Sequence, residues 1–309
     1  MTDDRHQLPG STRRPLSSAS PAGDLDPAAP VDVTVVLRRR AELPPAGELA
    51  APLSREELAA RYGADPADLA TVRAALAAEG LEVTAEDAAS RRVQVRGDLA
   101  TLRRVFAAEL AEVQSPDPVS GRPVTHRQRT GPLAVPAPLA DVVTAVLGLD
   151  DRPQARALFR PAAAVDTTFS PLELGRVYRF PAGTDGSGQT LAVLELGGGY
   201  TDEDLTAYWS SIGLADPPRV TAVGVDGGAN TPEGDPNGAD GEVLLDIEVA
   251  GALAPGADLV VYFAPNTDRG FLDALTTAVH ADPTPTAVSI SWGQNEDEWT
   301  AQALSLIHI

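Results

Sequence analysis

The chain contains no cysteine and no lysine. The first absence removes disulfides, thiolate metal sites and cysteine nucleophiles together. The second removes Schiff-base chemistry and the phosphate-binding lysine loop, because all 24 basic residues are arginine. No apolar run approaches the length of a membrane span. The opening residues, MTDDRHQLPGSTRRPLSSAS, hold no apolar segment able to serve as a signal-peptide core. Basic charge is also nearly missing from one half. Residues 164–309 carry 4 Arg against 22 Asp and Glu, a net of −18, whereas residues 1–163 carry 20 Arg against 22 acids, a net of −2. A balance this negative argues against nucleic acid or an anionic membrane as partner. It suits acidic surroundings, where protonation relieves self-repulsion, and it equally suits solubility alone.

With 309 residues, 43% of them hydrophobic, the chain has room for two domains, each with its own core. Residues 1–30, rich in Pro, Ser, Gly and charge, read as a disordered arm. VDVTVVLRR then reads as a β-branched strand. SREELAARYG carries Ser54 and Glu57 at the spacing of a capping box. DPADLATVRAALAAEG has Asp65 to cap a helix, Pro66 at its first position and Gly80 to stop it. Two strands follow, LEVTAEDA and RRVQVRGD, then a helix over DLATLRRVFAAEL and extended chain at AEVQS and PVTHRQR. The order β-α-β-β-α-β predicts a ferredoxin-like sandwich over 31–160. LADVVTAVLGL (139–149) reads as a short added helix, and 150–168 as a linker.

From residue 169 the rhythm changes. QTLAVLEL, RVTAVGV, ADLVVYFAP and TAVSISWG read as apolar strands alternating with helices. This predicts an α/β fold, a doubly wound parallel sheet with both faces covered and a site at the carboxyl ends of its strands. GGGYTD after the first of these strands does not make a dinucleotide loop. Its sixth position is Asp202, and the helix that follows opens on Asp202, Glu203 and Asp204, which would repel a pyrophosphate. DPNGADGE breaks the spacing of a calcium loop, with Ala239 at a ligand position and Asp240 where glycine is required; Asp240 reads better as a cap for the next helix. None of His6, His126 and His280 has a partner suggesting a histidine-based triad.

The stretch GEVLLDIEVAGALAPG (241–256) concentrates the chemistry. Val243, Leu244, Leu245, Ile247, Val249, Ala250 and Leu253 cover nearly every side of a helix, the pattern of a buried one. Yet Glu242 and Asp246 lie one turn apart on one face. Two carboxylates ~6 Å apart at an effective dielectric of ~20 repel by roughly 3 kcal/mol, about two pKa units. Such a pair holds one proton into mildly acidic pH and can shuttle it between a weak nucleophile and a leaving group. Spacing alone leaves open a helix whose acids point into loop water. Glu248 belongs to a different face.

Taken together, GEVLLDIEVAGALAPGA, VVYFAPNTDRGFLDALTTAV, SISWG, LAVLELGGGY and YRFPAGTDGSGQTLAV resemble the sedolisins, the serine-carboxyl peptidases, and in particular their kumamolisin-like proenzymes. The resemblance runs from about 31 to 303. It implies an activation propeptide over 31–160, a processing linker over 161–168 and the N-terminal part of a subtilisin-like peptidase domain over 169–303. It further implies Glu242 as general base toward a serine nucleophile, Asp246 as the group that orients it and shares its proton, and Glu195 as a supporting acid. Ser291, Trp292 and Gly293 match the segment along which substrate backbone lies as an added strand. Acid endopeptidase activity on protein or peptide substrates, an intramolecular contact between propeptide and peptidase, and an extracellular location follow as expectations. The family's Gly-Thr-Ser nucleophile motif, its oxyanion aspartate and its calcium site correspond to positions past residue 303. The chain is therefore expected to be an inactive piece of a proenzyme, with calcium required by the full-length protein and none bound here. Only three isoleucines, Ile212, Ile247 and Ile290, precede residue 305, whereas the last five residues hold two. This predicts a non-native tail over 304–309. The alternative to a peptidase is a non-catalytic peptide-binding module.

Overall fold

The computed structural model describes residues 5–49, 51–157 and 169–308; the expected processing linker, 161–168, lies outside them. In the first unit, strands β1 (Arg5–Gln7), β2 (Ser20–Gly23) and β3 (Pro30–Leu37) precede helices α1 (Arg55–Tyr62) and α2 (Pro66–Ala78). Strands β4 (Glu82–Asp87) and β5 (Arg92–Asp98) lead into α3 (Leu99–Val105). After it come β6 (Glu109–Pro116), β7 (Pro123–Thr130), β8 (Ala134–Pro136), β9 (Val143–Leu147) and β10 (Arg156–Ala157). The local signals act as their chemistry requires. Ser54 and Glu57 form a reciprocal capping box at α1, and the Asp65 side chain accepts from the Ala67 amide with Pro66 opening α2.

The main sheet of this unit is antiparallel, in the order β4-β5-β3-β9. Strand period two sorts β3 cleanly: Val33, Val35 and Leu37 enter a core with Val72, Leu76, Leu102 and Phe106, while Thr34 and Val36 face the second unit. Two expectations need correction here. The segment 139–149 is not a helix: residues 143–147 are the strand that completes the sheet on the free edge of β3, pairing Thr34 with Leu147 and Val36 with Ala145. Nor are residues 5–30 a disordered arm. There β1 pairs with β8, and β2 pairs with β6 in a second sheet of order β2-β6-β7. Leu8 is buried, and the Ser11 hydroxyl donates to the Leu8 carbonyl while accepting from the Leu133 amide. Polar composition concealed the segment because backbone pairing, rather than side-chain burial, secures most of it.

The second unit contains α4 (Pro171–Val177), β11 (Thr190–Glu195), α5 (Asp202–Ser211), β12 (Arg219–Gly224) and α6 (Ala239–Leu253). It continues with β13 (Asp258–Phe263), α7 (Asp268–Val279), β14 (Ala287–Ile290), β15 (Trp292–Gly293) and α8 (Ala301–His308). Its four-stranded sheet is parallel, in the order β12-β13-β11-β14. Helices cover both faces. Val193, Val261 and Phe263 pack with Leu205, Trp209, Val243 and Ile247 of α5 and α6. On the other side Ala192 and Leu194 pack with Phe271, Leu272 and Ala274 of α7. That second cluster also takes in Val36, Ala145 and Leu147, so one apolar layer joins the two units. The segment expected to be a tail, from 304 on, is helical as far as His308, and Leu306 and Ile307 pack against the same layer.

Candidate active site

The carboxyl end of β11 sets the location. Its last residue, Glu195, is fully buried. The chain then turns through Gly198, whose φ is +69°; a Cβ there would lie 2.7 Å from the Ala239 carbonyl carbon. Only glycine lets this turn pass so close to the first turn of α6. Asp240 fastens the same place. Its carboxylate accepts from the Gly199 amide at 2.8 Å and from the amides of Glu233, Gly234 and Asp235 at 2.8, 2.7 and 3.2 Å. The sequence read Asp240 as a helix cap. It is instead the second residue of α6, clamping two loops to the helix, while Gly238 stands at the cap without a side-chain bond.

From α6 the two acids project one turn apart. Glu242 is 2% exposed, and Asp246 is partly buried. The strand–turn after β14 reaches both neighbours. Ser291 Oγ donates to the Asp246 carboxylate, 2.7 Å from each oxygen. Trp292 Nε1 donates to Glu195 Oε2 at 2.7 Å, and Glu195 Oε1 is buried with no partner among the described residues. Burial pushes the Glu195 carboxyl well above its ordinary range, and the charges of Asp246 and Glu242 push it the same way against the indole bond. Asp246 is likewise raised by burial, with the Ser291 bond opposing. The structure thus brings Glu195, Glu242, Asp246, Ser291 and Trp292 into one partly buried acidic cluster, in which Glu195 and Asp246 hold their protons more tightly than free carboxyls. Glu248 faces elsewhere: burial and Asp204 of α5 lift it to about 7.

The segment 291–293 carries two features that spacing did not disclose. The side chains of Ser291 and Trp292 point to the acids, and Trp292 is 3% exposed. The backbone of β15 meanwhile pairs antiparallel with β10, Arg156 opposite Gly293 and Ala157 opposite Trp292. The chain's own segment lies where an added strand was expected, and no residue pattern at 156–157 signalled it. Among the described residues no group of three or more His, Asp or Glu side chains could hold a metal ion.

Residues 17–152 match the family model described as Pro-kumamolisin, activation domain. Over 330 aligned residues, 98% of this chain, the sequence is 42% identical to kumamolisin of Bacillus sp. (strain MN-32), covering 58% of that protein. It is 29% identical over 203 residues, 57% of this chain, to tripeptidyl-peptidase sed5 of Aspergillus fumigatus, covering 33% of it. A solved structure of Pseudomonas sedolisin, a serine-carboxyl proteinase complexed with two molecules of pseudo-iodotyrostatin, aligns over 40% of this chain and 35% of its own at 22% identity and TM-score 0.34. The chain thus spans a little over half the length of the first of these relatives and about a third of the second. The relatives are peptidases, and the first unit carries a peptidase activation domain. These comparisons support a place for the chain in the kumamolisin-like sedolisin family, the serine-carboxyl peptidases.

Proposed function

We propose that the complete protein is an acid-acting serine-type endopeptidase made as a proenzyme. Glu242 takes the proton of a serine hydroxyl as that oxygen attacks the scissile carbonyl, and returns it to the departing amine. Asp246 orients Glu242 and shares its proton, and Glu195 supports the pair. The observation that carries this reading is the pairing of each supporting acid with its own donor, partly buried Asp246 with Ser291 and fully buried Glu195 with Trp292. Carboxyl groups so raised do proton work at low pH. The strand order β9-β3-β5-β4 supports a ferredoxin-like propeptide, and the parallel sheet with helices on both faces supports a subtilisin-like peptidase domain. The pairing of β10 with β15 supports a propeptide that holds the substrate strand's place until it is cleaved. The proposed site of action is extracellular.

The 309 residues contain no Gly-Thr-Ser sequence, and this chain alone is proposed to be inactive. The test uses the complete gene product, assayed for peptide cleavage near pH 4. Glu242→Gln lowers kcat at least about 100-fold, the low end of a general base's contribution. Wild-type turnover in that variant would remove Glu242 from its role. The β10–β15 pair also favours a second reading, a non-catalytic peptide-binding module. Saturable peptide binding without turnover by the complete product would select it.

A further inference from the structure

The two units enclose a cavity of about 230 Å³ remote from the acidic cluster, with residues 36–92 on one side and α7 with the end of α8 on the other. Its floor is cationic. Arg91, only 8% exposed, sits there with φ +63°, and a single hydrogen bond, Nη1 to the Leu37 carbonyl at 2.7 Å, occupies its guanidinium. Arg39 lines the same cavity half-buried, its Nε buried without a partner. Among the described residues neither guanidinium has a carboxylate. The other charged groups are accounted for. Arg92 is paired with Asp273, 3.0 Å away. Asp87, near His280, accepts from Ser90 and from the Ala89 amide. Burial pushes the Arg91 guanidinium down to about 10, with Arg39 acting in the same direction. His280 is lowered by burial and by Arg92, Arg39 and Arg91, with Asp87 opposing.

Two unneutralised guanidiniums in a half-buried place are costly, and doubly unexpected in a chain of net charge −20. Most of the remaining wall is aliphatic, with Val36, Leu43, Leu58, Leu147, Leu272 and Leu275, beside the hydroxyls of Ser90 and Thr276 and the Asp273 carboxylate already paired with Arg92. We propose that this cavity is a binding site for a small carboxylate on a short aliphatic body, its carboxylate between Arg39 and Arg91 and its chain against the leucines. A planar guanidinium presents paired donors that match a carboxylate. The volume, below the roughly 300–1,000 Å³ of drug-sized sites, limits the body to a short one. Two sources supply this chemistry: a medium-chain fatty acid, or the free carboxyl end of a short peptide ending in leucine. Because both units line the cavity, the bound anion also ties them together and stabilises the chain by mass action.

The test is calorimetric titration of the 309-residue chain at pH 7 with octanoate and with N-acetyl-leucyl-leucine. Octanol and N-acetyl-leucyl-leucinamide serve as the uncharged counterparts. Saturable binding of either acid, at least tenfold tighter than its neutral counterpart and with a rise in melting temperature, supports the site; which acid binds identifies the source. Arg39→Gln weakens that binding at least tenfold while leaving the far-ultraviolet dichroism unchanged. Leu58→Trp, which fills the cavity and leaves both arginines in place, abolishes it. Absence of saturable binding by the folded chain, equal binding of acid and neutral analogue, or affinity untouched by Arg39→Gln with Leu58→Trp would each overturn the assignment.

Discussion

Glu195 is the residue at which burial and chemistry conflict most sharply. Its carboxyl sits at the end of a core strand with one oxygen on the Trp292 indole and the other without a partner among the described residues. Burial is the main cause of its raised pKa; the indole bond opposes it, and two neighbouring acids on α6 add to the rise. The folded state therefore keeps a proton that the unfolded chain loses above about pH 4.5. Stability from this group is complete below that pH and declines as pH rises toward the folded value. Glu195→Gln, which keeps an oxygen for the indole and carries no charge, is expected to raise the melting temperature at pH 7 and to leave it unchanged at pH 3. Thermal melts at the two pH values check this, and an equal shift at both would mean that the charge at Glu195 is not what costs stability. The acids themselves were legible. Glu242 and Asp246 stood out because a four-residue spacing fixes a shared helix face, and Glu195 followed from the resemblance. The hydroxyl of Ser291 and the indole of Trp292 were read only as backbone, because nothing in a linear sequence tells which way a strand's end turns its side chains.

At the scale of elements, the errors share a cause. In LADVVTAVLGL the apolar residues Leu139, Val142, Val143, Val146 and Leu147 satisfy helical spacing, yet Val142, Val143, Thr144 and Val146 are β-branched and suit a strand equally. The free edge of β3 decided between them, and an edge formed by residues a hundred positions earlier is invisible to a local window. The same applies to β1 and β2, which are strands because β8 and β6 offer them partners. Helices with a local stop and start, such as α1 and α2, were read correctly, since their caps lie within a few residues of them. The clamp at α6 lies between these cases: Asp240 was visible, but its partners at 199 and 233–235 were not. Removing it leaves four backbone N–H groups without their acceptor, that of Gly199 buried and the other three partly open to water. At about 1 kcal/mol per hydrogen bond, partly recovered through water, Asp240→Ala is expected to cost roughly 2–4 kcal/mol. Urea unfolding measures this, with hydrogen exchange at Gly199 and Gly234 rising before the sheet amides exchange. A loss under 0.5 kcal/mol would show that the loops hold without it.

Across the whole molecule, the uneven charge noticed first in the sequence becomes the docking of one unit on the other. The arginine-rich first unit supplies Arg92, with Thr34 and Gln94, to Asp273 on α7. Thr34 Oγ1 and Gln94 Nε2 donate to Asp273 Oδ2 at 2.6 and 3.2 Å, and Arg92 Nη1 stands 3.0 Å from Oδ1. Arg269 of the same helix approaches Asp273 at 3.5 Å, donates to Gln94 Oε1 at 2.8 Å and bonds Asp226 Oδ1 at 2.7 Å. Two aspartates in one cluster thus have opposite value. Asp273 is the common acceptor across the boundary, and Asp273→Ala leaves Arg92 without its carboxylate while Arg269 keeps Asp226; the loss of a buried partner of this kind costs roughly 3–5 kcal/mol. Asp226 is surplus. Burial and the nearby charge of Asp273 push it up to about 7, with Arg269 only partly offsetting them. Its folded value is raised, so the stability it contributes is whole below about pH 4 and is lost as pH rises through about 7. Asp226→Asn, which keeps an oxygen for Arg269 and tolerates the left-handed φ of +53° at this position, should stabilise the chain at pH 8 by on the order of 1 kcal/mol or more and have little effect at pH 4. Denaturant titrations of both variants at the two pH values separate the roles. Destabilisation by Asp226→Asn at pH 8 would mean that its bond to Arg269 outweighs the repulsion, so that the two units are held by both aspartates rather than by Asp273 against the cost of Asp226.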